Sequence, residues 1–374
     1  MPNMSNVLGL IFSNMHDTTI EDLTKHRTMG SILFGGRYRL IDFPLSNMVN
    51  SGISEVGVIT KSNFQSLLDH LGSGREWELS RKKGGLHILP PFGNNSSGMY
   101  RGRVEALSGI MDFIKHSTAE YILMSDCDVV ANIDYKPIIK YHTEKNADIT
   151  VICHKGVYSL EQTRFSTVFA VNEDDRVYDV LTNPQISGMC NISLNMFMIN
   201  KELLIQLVQQ AISRSQYSFE RDIIQSKVKE LNICAYQYEG YLSRIDSINS
   251  YFKENMNLLC KENRNQLFIE RRPIYTKVSD NAPCKYGLGS NAKNSLIADG
   301  CVIEGNVENC ILFRGVKVGK GANVKNSIIM QGTVIGEKSD INYIITDKQV
   351  VVSDNRTLSG SQVYPLFVGK GATV

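Results

Sequence analysis

Eight cysteines and seven histidines are the residues of this sequence whose side chains could most readily bind metals or act as nucleophiles and bases. The cysteines form no Cys-x-x-Cys pair and no cluster with metal-ligand spacing. Their spacing therefore favours buried, unreactive thiols, with a zinc site or a disulfide framework as the alternative. The eight positions are Cys127, Cys153, Cys190, Cys234, Cys260, Cys284, Cys301 and Cys310.

The length of the chain suits two domains, and the absence of a secretory signal predicts a location in the cytoplasm. Its 374 residues carry 40 Lys and Arg against 38 Asp and Glu, a formal net charge of +2. A near-neutral balance argues against binding nucleic acid through a bulk electrostatic field. No apolar run approaches the roughly 20 residues of a membrane-spanning helix, and the first residues lack the basic segment of a secretory signal.

Short apolar runs alternate with longer amphipathic stretches over residues 1–260. Runs such as 7–12, 56–59, 121–124 and 149–152 are typical of buried strands, and Phe64 to Leu71 and Glu105 to His116 are typical of helices. This alternation predicts an α/β domain with a mostly parallel sheet, whose ligands bind at the carboxyl ends of the strands. Residues 261–284, which are rich in charges and contain two prolines, are predicted to be a linker.

Residues 285–374 show a different pattern, with apolar residues six positions apart and glycines between them. Leu312, Val318 and Val324 have this spacing, and Ile329, Ile335 and Ile341 repeat it. A period of six predicts a hexapeptide β-helix. Many hexapeptide proteins are acyltransferases with a histidine base, but all seven histidines lie before residue 155. Packing and assembly are therefore the favoured roles of this domain. The histidines are His16, His26, His70, His87, His116, His142 and His154.

Residues 34–47, with the sequence FGGRYRLIDFPLSN, closely resemble a motif of bacterial ADP-glucose pyrophosphorylases. The likeness runs along nearly the whole chain and includes Tyr100-Arg101-Gly102 and the segment LFRGV at 312–316. These enzymes make ADP-glucose from ATP and glucose 1-phosphate for glycogen synthesis. The resemblance implies a Rossmann-like nucleotidyltransferase domain followed by a left-handed parallel β-helix.

The family's phosphate-binding loop, GG-x-G-x-RL, corresponds to residues 14–20, NMHDTTI, in this chain. The first glycine position carries Asn14, the arginine position carries Thr19, and Asp17 adds a charge that repels phosphate. Glycines allow a backbone to close on phosphates, and all three are absent here. A shifted alignment is the alternative, but the nearest glycine, Gly9, lies inside a predicted strand.

Three further family positions that contact phosphate or sugar have also changed. Met29 stands where the R-A-K-P segment has its lysine, and a methionine cannot contact phosphate through charge. The E-K-P motif, which grips the sugar phosphate, corresponds to residues 182–184, TNP, so that Asn183 replaces the lysine. Asn195 replaces a small glycine against which the sugar would pack.

The resemblance also places Arg244 at a metal-binding aspartate. One metal aspartate, Asp128, remains, but alone it would be at most a vestigial ligand; Asp126 could compensate as an alternative. No tightly bound cofactor is therefore expected, and Mg²⁺ is expected in a catalytic partner instead. The residual substrate-site positions implied by the family motifs are Tyr100, Gly102, Asp128 and Ser193.

The FGG turn keeps its basic residues although the catalytic loops do not. In relatives an activator sugar phosphate binds near this turn, between the two domains. Arg37 matches the basic residue there and Arg39 lies two positions on, and arginine suits phosphate because its planar group donates two parallel hydrogen bonds. The alternative is that both arginines form salt bridges within the fold.

The combined losses resemble a regulatory second subunit that accompanies a GlgC-type catalytic subunit in some Gram-positive bacteria. The resemblance implies a heterotetramer, or a homo-oligomer when the chain is alone, with a sugar-phosphate or phosphate effector. Two alternatives remain: a weakly active nucleotidyltransferase and a stand-alone sugar-phosphate-binding protein.

Overall fold

In the computed structural model, which describes residues 6–91 and 100–374, alternating strands and helices form the first part of the chain. The strands are β1 (Val7–Phe12), β2 (Leu33–Phe34), β3 (Tyr38–Arg39), β4 (Glu55–Ile59), β5 (Gly85–Leu89), β6 (Tyr121–Asp126), β7 (Val129–Ala131), β8 (Ile149–Tyr158), β9 (Thr167–Val171), β10 (Val177–Thr182), β11 (Gly188–Asn200), β12 (Ile233–Gln237) and β13 (Leu242–Arg244). The helices are α1 (Glu21–Thr24), α2 (Asp42–Asn50), α3 (Gln65–Leu71), α4 (Arg103–Gly109), α5 (Met111–His116), α6 (Lys136–Glu144), α7 (Leu160–Thr163), α8 (Lys201–Ser213), α9 (Ile248–Asn257) and α10 (Lys261–Leu267).

The main sheet has the strand order β10-β9-β11-β6-β1-β4-β5, and β8 and β12 extend it from β11. Strands β5, β4, β1 and β6 are parallel, as the sequence pattern predicts. The long strand β11 is antiparallel to β6, β8 and β9 and adds a second region of the sheet. The predicted α/β fold is therefore confirmed, with a parallel region that places the ends of β1 and β6 side by side.

The two faces of the sheet bury separate sets of apolar side chains. Every residue of β1 is buried, because helices or loops cover both faces. Successive side chains of a strand point to opposite faces. Leu8 and Leu10 accordingly belong to one hydrophobic core, and Val7 and Ile11 to the other.

The helices that cover the sheet are short. The longest helix described, α8, begins after Asn200, whose side chain accepts hydrogen bonds from the backbone N–H groups of Glu202 and Leu203. The stretch from Glu105 to His116, which was expected to form one helix, is divided between α4 and α5 at Ile110. None of the helices described for residues 6–91 and 100–374 has the length and apolar character needed to span a bilayer.

The predicted linker, residues 261–284, begins with α10 instead of irregular chain. Leu267, the last residue of this helix, and Ile274 are both buried in the core of the α/β domain. Only the part after α10 is connecting chain. Leu267 and Ile274 thus pack a segment against the α/β domain that its charges and prolines had indicated to be a linker.

Three parallel sheets form the remainder of the chain, and each turn of the β-helix contributes one short strand to each sheet. Leu312, Val318 and Val324 point inward and are fully buried, which confirms the six-residue period. The strands are β14 (Lys285–Tyr286), β15 (Asn291–Lys293), β16 (Leu296–Ile297), β17 (Val302–Ile303), β18 (Asn306–Glu308), β19 (Ile311–Leu312), β20 (Lys317–Val318), β21 (Asn323–Lys325), β22 (Ile328–Ile329), β23 (Val334–Ile335), β24 (Asp340–Asn342), β25 (Ile344–Thr346), β26 (Val351–Val352), β27 (Thr357–Ser359) and β28 (Leu366–Val368).

One corner of the β-helix carries a ladder of asparagines. Asn294, Asn309 and Asn326 all have positive φ angles of 43° to 51°, which asparagine tolerates better than most residues. The side chain of Asn294 donates to Asn309, that of Asn309 to Asn326 and that of Asn326 to Asn342. Each asparagine thus satisfies the amide of its neighbour in the next turn, and the ladder fixes the register of the stacked turns.

The two domains share a hydrophobic core and a buried ion pair. Phe313 and Met330 of the β-helix lie in the same cluster of buried residues as Phe34 of the α/β domain. Arg27 Nη2 contacts the two carboxylate oxygens of Asp347 at 2.7 and 2.8 Å, and both side chains are almost fully buried. One nitrogen of Arg27 thus contacts both oxygens, while Nη1 is buried without a hydrogen-bond partner among the described residues. This buried ion pair joins the two domains.

Substitution of Asp347 by Asn should destabilise the chain strongly, because it leaves the buried Arg27 guanidinium without a counter-charge. Loss of one partner of a buried ion pair costs about 3–5 kcal/mol. We expect a decrease of this size in the free energy of unfolding, measured by urea denaturation. Asp340→Asn, at an exposed position of the β-helix, is the control and should change the free energy little. Equal effects of the two substitutions would contradict this role of the pair.

Candidate functional site

Two aspartates lie at the carboxyl end of β6, where the sheet topology places ligand sites. Asp126 is the last residue of β6 and pairs with Phe12, the last residue of β1. Asp128 follows two positions later, and both carboxylates are buried. Asp126 and Asp128, called here the acidic pair, must be neutralised by nearby groups, because an uncompensated buried charge is strongly destabilising.

Arg103 neutralises Asp126. Its Nη1 and Nη2 atoms lie 2.6 and 3.0 Å from the two carboxylate oxygens, and Nη2 also contacts Glu220 at 3.0 Å. Burial opposes the charge on the guanidinium, but Asp126 and Glu220 outweigh it and raise the pKa of Arg103. Burial likewise opposes ionisation of Asp126, yet Arg103 and His16 hold the pKa of this carboxyl below its ordinary value.

His16 lies between the two members of the acidic pair. Its Nε2 atom is 2.7 Å from Asp126 Oδ2 and 3.8 Å from Asp128 Oδ2. Burial lowers the pKa of His16, but the coulombic effect of Asp128 and the hydrogen bond to Asp126 outweigh it and raise the pKa above its ordinary value. The imidazole therefore joins the loop after β1 to both members of the acidic pair.

Asp128 accepts a hydrogen bond from Asn195 and lies beside Arg244, whose buried Nε has no hydrogen-bond partner among the described residues. The sequence singled out both residues. Asn195 Nδ2 donates to Asp128 Oδ2 at 2.8 Å, and Arg244 Nε lies 3.5 Å from the same oxygen. Arg244 also donates from Nη1 to the backbone oxygen of Ser193 at 3.3 Å. Asp128 Oδ1 is buried and has no hydrogen-bond partner among the residues that the structure describes. The structure thus brings Asp128, Ser193, Asn195 and Arg244 together.

The donor set at the acidic pair does not fit Mg²⁺. His16, Asp126 and Asp128 each offer a ligand atom, and these atoms lie within 4.8 Å of one another. Mg²⁺ requires nearly octahedral oxygen ligands and is usually held by carboxylates together with substrate phosphates. Here a bidentate guanidinium occupies Asp126, and an amide and a second guanidinium occupy Asp128. A divalent ion would meet both positive groups.

The loop after β1 is held by its own side chains. Asn14 donates to the carboxylate of Asp17 and accepts from the backbone N–H of Lys61 at 3.0 Å. Asp17 also accepts from the backbone N–H of Met29 at 2.8 Å, and the Thr19 hydroxyl donates to the backbone oxygen of His16 at 2.7 Å. The Asp17 carboxylate therefore already accepts the backbone N–H of Met29, a residue that the resemblance places among the phosphate contacts.

The remaining predicted site residues, Tyr100, Gly102 and Asn183, have different surroundings. Tyr100 lies near Asp17 and Asp126, and burial, with these carboxylates, raises its pKa. A side chain at Gly102 would collide with the backbone oxygen of Tyr217, so close packing requires a glycine there. Asn183 lies apart: it is exposed after β10, and its backbone N–H donates to Ser166 at 2.8 Å.

A second polar site lies where the two domains meet. It is a cavity of about 230 Å³ lined by Arg37, Arg39, Lys277 and Arg314, with His70 and Gln331 among its other residues. We call it the junction pocket. Arg314 is contributed by the β-helix and donates to Asp299 at 3.1 Å and to the backbone oxygen of Lys277 at 3.2 Å.

The two arginines predicted from the FGG turn have different surroundings in the junction pocket. Arg37 is exposed, and its guanidinium lies 5.6 Å from the ring centre of Tyr38. Arg39 is partly buried and donates to the backbone oxygen and hydroxyl of Ser66 at 2.6 and 2.9 Å. Burial lowers the pKa of Arg39 to about 10, and it remains charged at neutral pH.

Sequence reasoning did not assign roles to His16, Arg103, Lys277 and Arg314. His16 was read only as part of an altered loop, and Arg103 follows the Tyr100-Arg101-Gly102 motif without belonging to it. Lys277 lies in the predicted linker, to which no binding role was given. Of these four residues, only Arg314 could have been identified from the sequence, because it lies in the family segment LFRGV at 312–316.

Two family models match the chain. Residues 16–261 match the Nucleotidyl transferase family, and residues 282–361 match the GlmU-like C-terminal hexapeptide family. The chain is therefore a nucleotidyl transferase domain followed by a hexapeptide β-helix, and the left-handed form that the sequence motifs implied agrees with the three parallel sheets.

Full-length relatives define the family more closely. The Glycogen biosynthesis protein GlgD of Bacillus subtilis (strain 168) is 37% identical over 98% of this chain and 96% of its own length. The GlgD of Geobacillus stearothermophilus is 38% identical over 85% and 82%. The glucose-1-phosphate adenylyltransferase of Clostridium botulinum (strain Alaska E43 / Type E3) is 34% identical over 84% and 82%. The chain belongs to this family of GlgD proteins and glucose-1-phosphate adenylyltransferases, which places it among the proteins of glycogen biosynthesis.

The pH dependence of stability should report the partly buried carboxyl of Asp17. Burial raises its pKa from 3.8 to about 6, so between these values the folded chain keeps a proton that the unfolded chain has released. The free energy of unfolding therefore falls as the pH rises through this window. Asp17→Asn carries no titrating group and should gain stability relative to the wild type from about pH 4 to pH 6.

Urea denaturation at a series of pH values measures this difference. Asp174→Asn, at an exposed position, is the control and should follow the wild type across the same window. A difference between the wild type and Asp17→Asn that stays constant with pH would contradict a raised pKa at Asp17.

Proposed function

We propose that this chain acts in the cytoplasm as a non-catalytic, regulatory subunit of glucose-1-phosphate adenylyltransferase. Its partner is a GlgC-type catalytic subunit, which converts ATP and glucose 1-phosphate to ADP-glucose and pyrophosphate with Mg²⁺. The observation that carries the proposal is the position of Arg244 beside Asp128, with Arg103 on Asp126. The one carboxylate that the resemblance makes a metal ligand, Asp128, and its neighbour Asp126 both lie beside positive groups of the chain itself.

The energy of this change is large compared with a single lost hydrogen bond. Two unit charges 4 Å apart interact by about 4 kcal/mol at an effective dielectric constant near 20. Replacing an aspartate by Arg244 changes an attraction for a divalent cation into a repulsion of similar size. Nucleotidyl transfer depends mainly on positioning and on charge neutralisation by metal and basic groups. We infer that the acidic pair no longer supports it.

The phosphate side of the site supports the same proposal. Asp17 places a carboxylate where the family's glycine loop approaches phosphate, and it already accepts the backbone N–H of Met29. Met29 itself is buried and apolar. A triphosphate would therefore lose both a lysine and a free donor, and it would meet a negative charge.

Regulation is assigned to the junction pocket. Arg37, Arg39 and Lys277 give this cavity a concentration of positive charge that suits a sugar phosphate or inorganic phosphate, while Arg314 lines it as the partner of Asp299. Because Arg39 belongs to the α/β domain and Arg314 to the β-helix, an anion there contacts both domains. Such an effector acts on the partner through a coupling free energy, typically about 1–3 kcal/mol. A heterotetramer would transmit it, with the β-helix contributing to assembly.

The central experiment mixes the purified chain with its GlgC-type partner and measures ADP-glucose synthesis. We expect no synthesis by the chain alone, and a rate or effector response of the mixture that differs from that of the partner alone. Magnesium-dependent release of pyrophosphate by the chain alone would establish a weakly active nucleotidyltransferase instead. Binding of fructose 1,6-bisphosphate without any effect on the partner would favour a stand-alone sugar-phosphate-binding protein.

Arg37→Ala should weaken the effector response of the mixed enzyme without unfolding the chain, because the side chain is exposed. A hydrogen bond to a charged group contributes about 1.5–3 kcal/mol, so the concentration for half-maximal response should rise at least about tenfold. Fructose 1,6-bisphosphate and inorganic phosphate are the probes. Arg356→Ala, at an exposed position of the β-helix, is the control. An activation curve unchanged by Arg37→Ala would remove Arg37 from the site.

A further inference from the structure

Arg244 is held in place by backbone pairing, so its contact with Asp128 is a built feature of the fold. Strand β13 runs antiparallel to β7, and Arg244 pairs with Val129. The next residue, Ile245, donates its backbone N–H to the backbone oxygen of Asp128 at 2.8 Å. The side chain of Arg244 is only 13% exposed, and Nε faces Asp128 Oδ2 at 3.5 Å. A short strand thus delivers the guanidinium to the carboxylate.

The acidic pair already faces positive groups of the chain without an added ion. Arg103 contacts both Asp126 and Glu220, at 2.6 and 3.0 Å, and Arg244 lies 3.5 Å from Asp128. A divalent cation at this place would meet both guanidinium groups at close range. The residues therefore disagree with the Mg²⁺ site that the family resemblance implies.

One oxygen at this place is left over. Asp128 Oδ1 is buried without a hydrogen-bond partner within residues 6–91 and 100–374, whereas Oδ2 accepts from Asn195 and lies 3.5 Å from Arg244 Nε. Arg244 Nε is likewise buried without a hydrogen-bond partner there. Buried polar atoms normally have partners, so Arg244 and Asp128 interact here through charge and not through a hydrogen bond.

We propose that the guanidinium of Arg244 substitutes for a divalent cation, and that it stabilises the folded arrangement of the acidic pair without metal. This role rests on the proposed loss of catalysis at the same site and adds that Arg244 stabilises the fold there. If it is correct, a single substitution of Arg244 should restore divalent-cation binding. R244D places a third carboxylate opposite Asp126 and Asp128 and removes the competing cation.

The experiment measures divalent-cation binding to the full chain, with Mn²⁺ as the probe, by electron paramagnetic resonance and by thermal unfolding. We expect the wild type to show the same melting temperature in Mn²⁺ and in EDTA. R244D should bind Mn²⁺ at least about tenfold more tightly than the wild type, because carboxylates are preferred ligands of such ions. It should be less stable than the wild type in EDTA and regain stability in Mn²⁺, since a ligand that binds the folded state stabilises it. R356D makes the same charge change at an exposed position and should show neither effect.

R244Q keeps the proposal testable if R244D does not fold. It removes the cation without adding a carboxylate, so its melting temperature in EDTA should fall below that of the wild type. Unchanged stability of R244Q, or equal Mn²⁺ affinity of the wild type and R244D, would show that Arg244 does not take the place of a divalent cation. Neither result depends on turnover or on a partner subunit, so the proposed regulatory function stands or falls separately in the mixing assay.

Discussion

The compensation of two adjacent buried carboxylates is the constraint on which the rest of the site depends. Asp126 and Asp128 follow the central strand β6 and cannot reach bulk water. Each must therefore meet a cation or lose its charge. Arg103 meets Asp126 from the start of α4, and Arg244 meets Asp128 from β13. These contacts fix the elements around the strand ends, and His16 ties the loop after β1 to the same two carboxylates.

The sequence was informative where function or fold follows a local pattern. The apolar runs and the six-residue period indicate strands and a β-helix because each residue's environment repeats along the chain. A role could be predicted for Arg244 because it occupies a known position of a family motif. Arg103 and His16 could not, because their roles arise only when the start of α4 and the loop after β1 meet the end of β6. The spacing of residues along the chain does not show which distant segments come together in the fold.

The junction between the domains shows the same limit for the fold. Charges and prolines in residues 261–284 describe the exposed majority of that segment, but Leu267 and Ile274 decide where it packs. Arg27 and Asp347 are 320 positions apart, and nothing near either residue in the sequence indicates the pair. The hexapeptide domain is consequently bound to the α/β domain by apolar packing and by an ion pair that only the folded chain reveals.

The arginines at the acidic pair and those in the junction pocket differ in the groups that they contact. Arg103 and Arg244 face carboxylates, so their charge is already used and offers little to an incoming phosphate. Arg39 donates to the neutral groups of Ser66, and Arg37 is exposed. Their charge remains available to a ligand. This difference supports the proposal that anions bind at the domain junction and not at the strand ends.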